Sequence, residues 1–175
     1  DDYQRGLERA ELSVSGRVTP KDIQWLSGTL GMKRNIEVRS PIQISKANLN
    51  WRKDADASLR ADLAVENGPK ISLDVLRHSG GIKINNLVIR DGLSDASIGL
   101  DIKGRLIDLT FSGRLSERTL DTIFTQFKPR DGWVKGNFRI HIDLDQPLLF
   151  VAHGKIGLDH LSLPSQFGKA LAHHA

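Results

Sequence analysis

The stretch "WVKGNFRIHIDL" (Trp133–Leu144) changes polarity at almost every residue. Val134, Phe138, Ile140, Ile142 and Leu144 fall on one side, with Gly136 among them, and Lys135, Asn137, Arg139, His141 and Asp143 fall on the other. A period of two places alternate side chains on opposite faces of an extended chain, so this stretch reads as a strand with one dry and one wet face.

The same period recurs on both sides of it. Leu59, Ala61, Leu63 and Val65 alternate with polar residues. After the turn residues Asn67-Gly68-Pro69 come Ile71, Leu73 and Val75, so the pair reads as a hairpin. Ile82 and Ile84 follow Gly80-Gly81, then Ile98, Leu100 and Ile102, then Ile107, Leu109 and Phe111. At Asn85-Asn86 the parity slips by one residue, so that Leu87 and Ile89 resume the apolar side late, as a β-bulge requires. Leu12–Val18, Ile36–Ile44 and Ala47–Arg52 are less regular strands. The expectation is mainly β: a largely antiparallel meander of about ten strands joined by short turns.

Two segments carry the helical period instead. Thr19-Pro20-Lys21-Asp22 supplies a cap, a first-turn proline and an acid, followed by Ile23, Leu26 and Leu30, with Gly31 as the stop. Ser116 precedes a stripe of Leu120, Ile123, Phe124 and Phe127 that ends before Pro129. The tail "LPSQFGKALAHHA" suggests a weak third helix. Both main helices follow the same punctuation, "SGRVTP" at Ser15 and "SGRLSE" at Ser112, as an internal structural repeat would. The chain reads as a single β-rich domain, 1–175, or a segment of a larger repeating β-groove protein, with repeat boundaries near 31 and 127.

Composition narrows the function. Hydrophobic residues make up 39% and charged residues 26% of the 175, as in a folded rather than a disordered chain. The net charge of +4 arises from 25 basic residues scattered among 21 acidic ones, without the basic stripe or stacking aromatics of a nucleic-acid binder. Absence of cysteine removes disulfides and thiolate chemistry. No run approaches the ~20 apolar residues of a membrane-spanning helix. A transmembrane barrel fits poorly, because its aromatic girdles are wanting and the polar face is densely charged. The first residue is Asp, so the chain is expected to be a processed or excised piece, with any anchor or export signal outside it.

Catalytic motifs are missing. There is no glycine-rich phosphate loop, Gly-x-Ser-x-Gly elbow, Ser-x-x-Lys or His-Glu-x-x-His. His153 and His160 with Asp159 match no metal-ligand spacing, and Asp143 with Asp145, two apart on one strand face, reads as a wet surface rather than a hydrolytic dyad. Trp51 and Trp133 are too few for a glycan-binding face. The expectation is a non-enzyme with no cofactor and no metal.

An apolar face of about ten strands would be roughly 50 Å wide if flat, more than two short helices can cover. From composition alone, closure into a sandwich or barrel is the ordinary way to bury it. The alternative is a curved, open groove or half-barrel whose apolar side takes up acyl chains.

The succession "SPIQISKANLNW", "ASLRADLAVENGPKISLDVLRHSGGIKINNLVIRDGLSDASIGLDIKGRLIDLTFSGRLSERTLDTIF" and "GWVKGNFRIHIDL…VAHGKIGLDHLSLP" resembles the bacterial AsmA-like envelope proteins from about Ser40 onward. The shared features are a strand pair of the form l-x-l-x-x-G, a strand ending in Ser-Gly-Arg before an amphipathic helix, and the "GKIGLDHLSLP" segment. The resemblance implies a periplasmic β-groove protein, anchored in the inner membrane outside this chain, that carries phospholipid acyl chains to the outer membrane. Leu63, Leu73, Ile84, Leu100, Leu109, Phe111, Phe138 and Ile140 are the expected lining. The expected partners are phospholipid, the membrane, and other envelope proteins by strand addition. The competing expectation is a non-catalytic envelope assembly module with a closed β core.

Overall fold

The alternating segments become strands of one sheet. The computed structural model describes residues 9–29, 37–52, 56–125, 132–146 and 150–159. In chain order these form β1 (Arg9–Val18), α1 (Pro20–Thr29), β2 (Ile42–Arg52), β3 (Ala57–Val65), β4 (Lys70–His78), β5 (Gly81–Arg90), β6 (Asp95–Lys103), β7 (Leu106–Ser116), α2 (Glu117–Ile123), β8 (Trp133–Asp143) and β9 (Val151–Asp159). Spatial order equals sequence order from β1 to β9, and every neighbouring pair is antiparallel. The fold is thus mainly β, one open nine-stranded sheet with two short helices.

The closure that composition favours does not occur: β1 and β9 are the two edge strands and do not pair with each other, and among the described residues there is no second sheet. The strand count is nine rather than about ten because the two expected strands around Ser45 are one. β2 runs through a register shift between Ile44 and Lys46, and that bulge hides the continuity from a period-two reading. The slip at Asn85-Asn86 has its expected cause: both residues stand opposite Gly99 alone, between the pairs Ile84–Leu100 and Leu87–Ile98. Asn67 takes φ 57° in the β3–β4 turn, a left-handed conformation that asparagine tolerates.

Both helices start where capping chemistry places them. Thr19 accepts from Asp22 N at 3.4 Å, while Asp22 Oδ2 accepts from Thr19 N at 2.8 Å and from Thr19 Oγ1 at 2.7 Å. Ser116 Oγ accepts from Arg118 N. In each case a strand glycine with positive φ, Gly16 or Gly113, stands four residues before the helix, so the twin punctuation has a common local geometry. α2 is shorter than its apolar stripe: Phe124 is extended and pairs with Val38 instead of continuing the helix. Leu30, Gly31 and Phe127, the expected repeat boundaries and the tail helix lie outside the described residues.

α2 closes one end of the apolar face. The buried cluster is Ile89, Ala96, Phe111 and Leu115, with Leu120 of α2 packed against it. Thr119, fully buried, shares a hydrogen bond of 2.6 Å with Ser94 in the β5–β6 turn, and Ser94 Oγ also accepts from Ser116 N at 2.9 Å. A Cβ at Gly68 would fall 2.8 Å from Thr122 Oγ1, so the β3–β4 turn lies against the same helix. Beyond it, Arg39 donates to Asp121, pinning the segment before β2 to the helix.

Candidate functional site

In an antiparallel sheet, directly paired residues share a face, so the registers can be followed strand by strand. One row passes from Leu12 in β1 through Leu49, Leu59, Val75, Ile84, Leu100, Leu109 and Ile140 to Ala152 in β9. The next, closer to α2, passes through Ala61, Leu73, Leu87, Ile98, Phe111 and Phe138. A third contains Leu63, Ile71, Ile89 and Ala96, then the glycines Gly113 and Gly136. No polar side chain interrupts these rows.

All the expected lining residues therefore share one face of the sheet, but they do not share one environment. Phe111, 6% exposed, belongs to the core beneath α2. Leu63, Leu73, Ile84, Leu100, Leu109, Phe138 and Ile140 are half-buried. Exposure is lowest beside α2 on the central strands and high at the far end and at both edges: Ala96 is 1% exposed, whereas Ile82 is 48%, Leu12 52% and Leu158 58%. Sequence periodicity finds the face but misses this gradient, because α2 covers its end through contacts with turns far away in sequence.

Glycines shape the floor under β7 to β9. Gly113 and Gly136 are direct neighbours across β7 and β8, with φ 112° and 157°, and Gly154 sits opposite Phe138 with φ 124°. A Cβ at Gly113 would lie 2.0 Å from Asp95 O and one at Gly154 2.2 Å from Asn137 O. Phe111 and Phe138 stack beside them, with centroids 5.0 Å apart.

The opposite face is polar and ion-paired. Arg60 meets Asp74, Arg90 meets Asp95, and Lys103 meets Asp101 at 3.0–3.1 Å. Lys83, Asp101, Asp108 and His141 follow one another across four strands, and His141 Nδ1 is 2.9 Å from Asp108 Oδ1. Asp101 Oδ1 is buried without a hydrogen-bond partner. Sequence reading misses this cluster, since only pairing across β5 to β8 assembles it. The carboxylates singled out from the sequence serve otherwise. Asp143 ends β8 and accepts from Asp145 N at 2.9 Å, and Asp145, in the turn rather than on the strand face, pairs with Arg105.

His153 is exposed and opposite Arg139, while Asp159 is opposite Trp133 at the other end of β9; His160 lies outside the described residues. No group of three metal-ligating side chains occurs among the described residues. Trp51 lies on the apolar face opposite Ala10, and the Trp133 ring lies 5.5 Å from the Arg114 guanidinium. No described helix is long and apolar enough to cross a membrane.

Comparison with known proteins finds no matching family model, no matching curated protein and no matching solved structure.

Proposed function

We propose that this chain is a non-catalytic, lipid-binding segment of a bridge-type carrier in the bacterial envelope, of the kind its resemblance to AsmA-like proteins implies. Phospholipid acyl chains lie on the apolar face and head groups stay in water. The carrier stands in the periplasm, held at the inner membrane by an anchor outside this chain, and delivers lipid toward the outer membrane.

The observation that carries this reading is the half-exposed apolar row through Ile84, Leu100, Leu109 and Ile140, which no second layer covers among the described residues. Apolar surface left in water costs about 25 cal/mol per Å², and each acyl methylene buried against it gains about 0.8 kcal/mol. This attraction is non-directional, so a chain can slide along the rows without breaking specific bonds. The polar face, with its charged pairs, suits contact with water.

A photo-crosslinking amino acid at Leu100 or Ile140 tests the proposal in cells. Phospholipid adducts at both positions, and none at the polar-face position Lys83, are expected. Protein-only adducts, or none, would overturn it in favour of an assembly module. Native mass spectrometry of the purified chain should show co-purified phospholipid, reduced when Leu100 is replaced by Asn.

A further inference from the structure

Among the described residues, the two edges of the sheet are open and they differ. β1 carries a register shift between Val14 and Gly16, and its charged residues are engaged: Arg9 pairs with Glu11, and Arg17 with Glu66. Bulges and charges of this kind blunt an edge against further pairing. β9 has charges too, Lys155 and Asp159 on its polar face, but no bulge. It pairs with β8 from Val151 to Asp159 without a shift, contains no proline, and leaves Ile156 and Leu158 53% and 58% exposed on the apolar face. A long edge without a bulge or a proline is a template for another strand.

The side chains of β9 select a strand like itself. Antiparallel pairing of two β9 strands about a two-fold axis at Ile156 opposes residues 153 to 159 of one copy with residues 159 to 153 of the other. Ile156 then meets Ile156 of the second copy, Leu158 fills the space over Gly154, and His153 faces Asp159 at both ends of the ladder. Lys155 faces Gly157. Moving the axis to Lys155 would oppose two lysines, which disfavours that register. Moving it to Gly157 would shorten the ladder.

We infer that β9 is a homodimerisation edge, pairing antiparallel with β9 of a second copy in the register centred on Ile156, so that the apolar face runs without a break from one copy into the other. This assignment does not depend on what the face binds.

Sedimentation of the 175-residue chain over a range of concentrations tests it, with three variants. A monomer–dimer equilibrium is expected for the wild type. Ile156→Lys, which puts a charge on the apolar side of an already exposed position, should abolish the dimer, and its circular dichroism and melting temperature report whether the monomer stays folded. Asp159→Lys should weaken dimerisation at least about tenfold, and His153→Glu combined with Asp159→Lys should recover it. A chain monomeric up to roughly 1 mM would overturn the inference. So would open-ended polymers, which would place β1 of another copy on β9, or failure of the double variant to recover.

Discussion

Phe111 and Phe138 stack across β7 and β8 with centroids 5.0 Å apart and ring planes within 18°, and they mark the line where the apolar face passes from covered to open. Phe111 lies in the cluster under α2, whereas Phe138 is half-buried at its margin. Phe111→Ala should therefore cost about 3–5 kcal/mol, and Ile140→Ala, one row further out, less than about 2 kcal/mol. Urea unfolding of the two variants measures the difference. Equal losses would mean that the outer row is as enclosed as the core.

The bond between Ser94 and Thr119 joins α2 to the β5–β6 turn. Ser94→Ala removes the acceptor for Ser116 N and the partner of Thr119 together, leaving buried polar groups unsatisfied, so a loss of about 1–3 kcal/mol is expected. A double-mutant cycle with Thr119→Val should give a coupling energy of at least about 0.5 kcal/mol. Additive effects would show that the contact contributes nothing of its own.

At Gly154, an added Cβ must meet backbone rather than a movable side chain. Gly154→Ala should destabilise by about 1–3 kcal/mol through a strained positive φ and separation of β8 from β9, while Gly92→Ala, where the space is open, should stay within about 1 kcal/mol of wild type. Comparison of melting curves decides between them.

Acid should loosen the start of α1. The side-chain hydrogen bond from Thr19, followed by the one from its backbone, holds the Asp22 carboxyl below its ordinary value of 3.8. A depressed pKa means that the carboxylate form stabilises the fold; the contribution is complete above the ordinary value and disappears as pH falls through the lower, folded-state value. The amide signals of Thr19 and Asp22 should titrate with a midpoint below 3.8. A midpoint above 3.8 would contradict the cap.

Much of the fold is legible along the chain because strand faces and helix caps are local properties. The alternation in Trp133–Leu144 places β8 and the facing of each of its side chains, and Thr19 and Ser116 mark the helix starts through bonds to residues two or three positions away. The Asn85-Asn86 slip is legible for the same reason, since a bulge shifts the parity of its own strand. The break at Ser45 is harder to read, because a bulge and a strand end look alike until the partner strands are known.

The sequence by itself determined that one face of the strands is apolar and that Leu63, Leu73, Ile84, Leu100, Leu109, Phe111, Phe138 and Ile140 belong to it. Only the tertiary structure decided that the sheet stays open rather than closing on itself, that α2 covers the end holding Phe111 and leaves the rows beyond it half-exposed among the described residues, and that Asp101, Asp108 and His141 meet on the other side. Alternation is written in neighbouring residues, whereas closure, coverage and cross-strand clusters depend on which strands pair and in what register. Those pairings are fixed by the packing and turn geometry of the whole sheet.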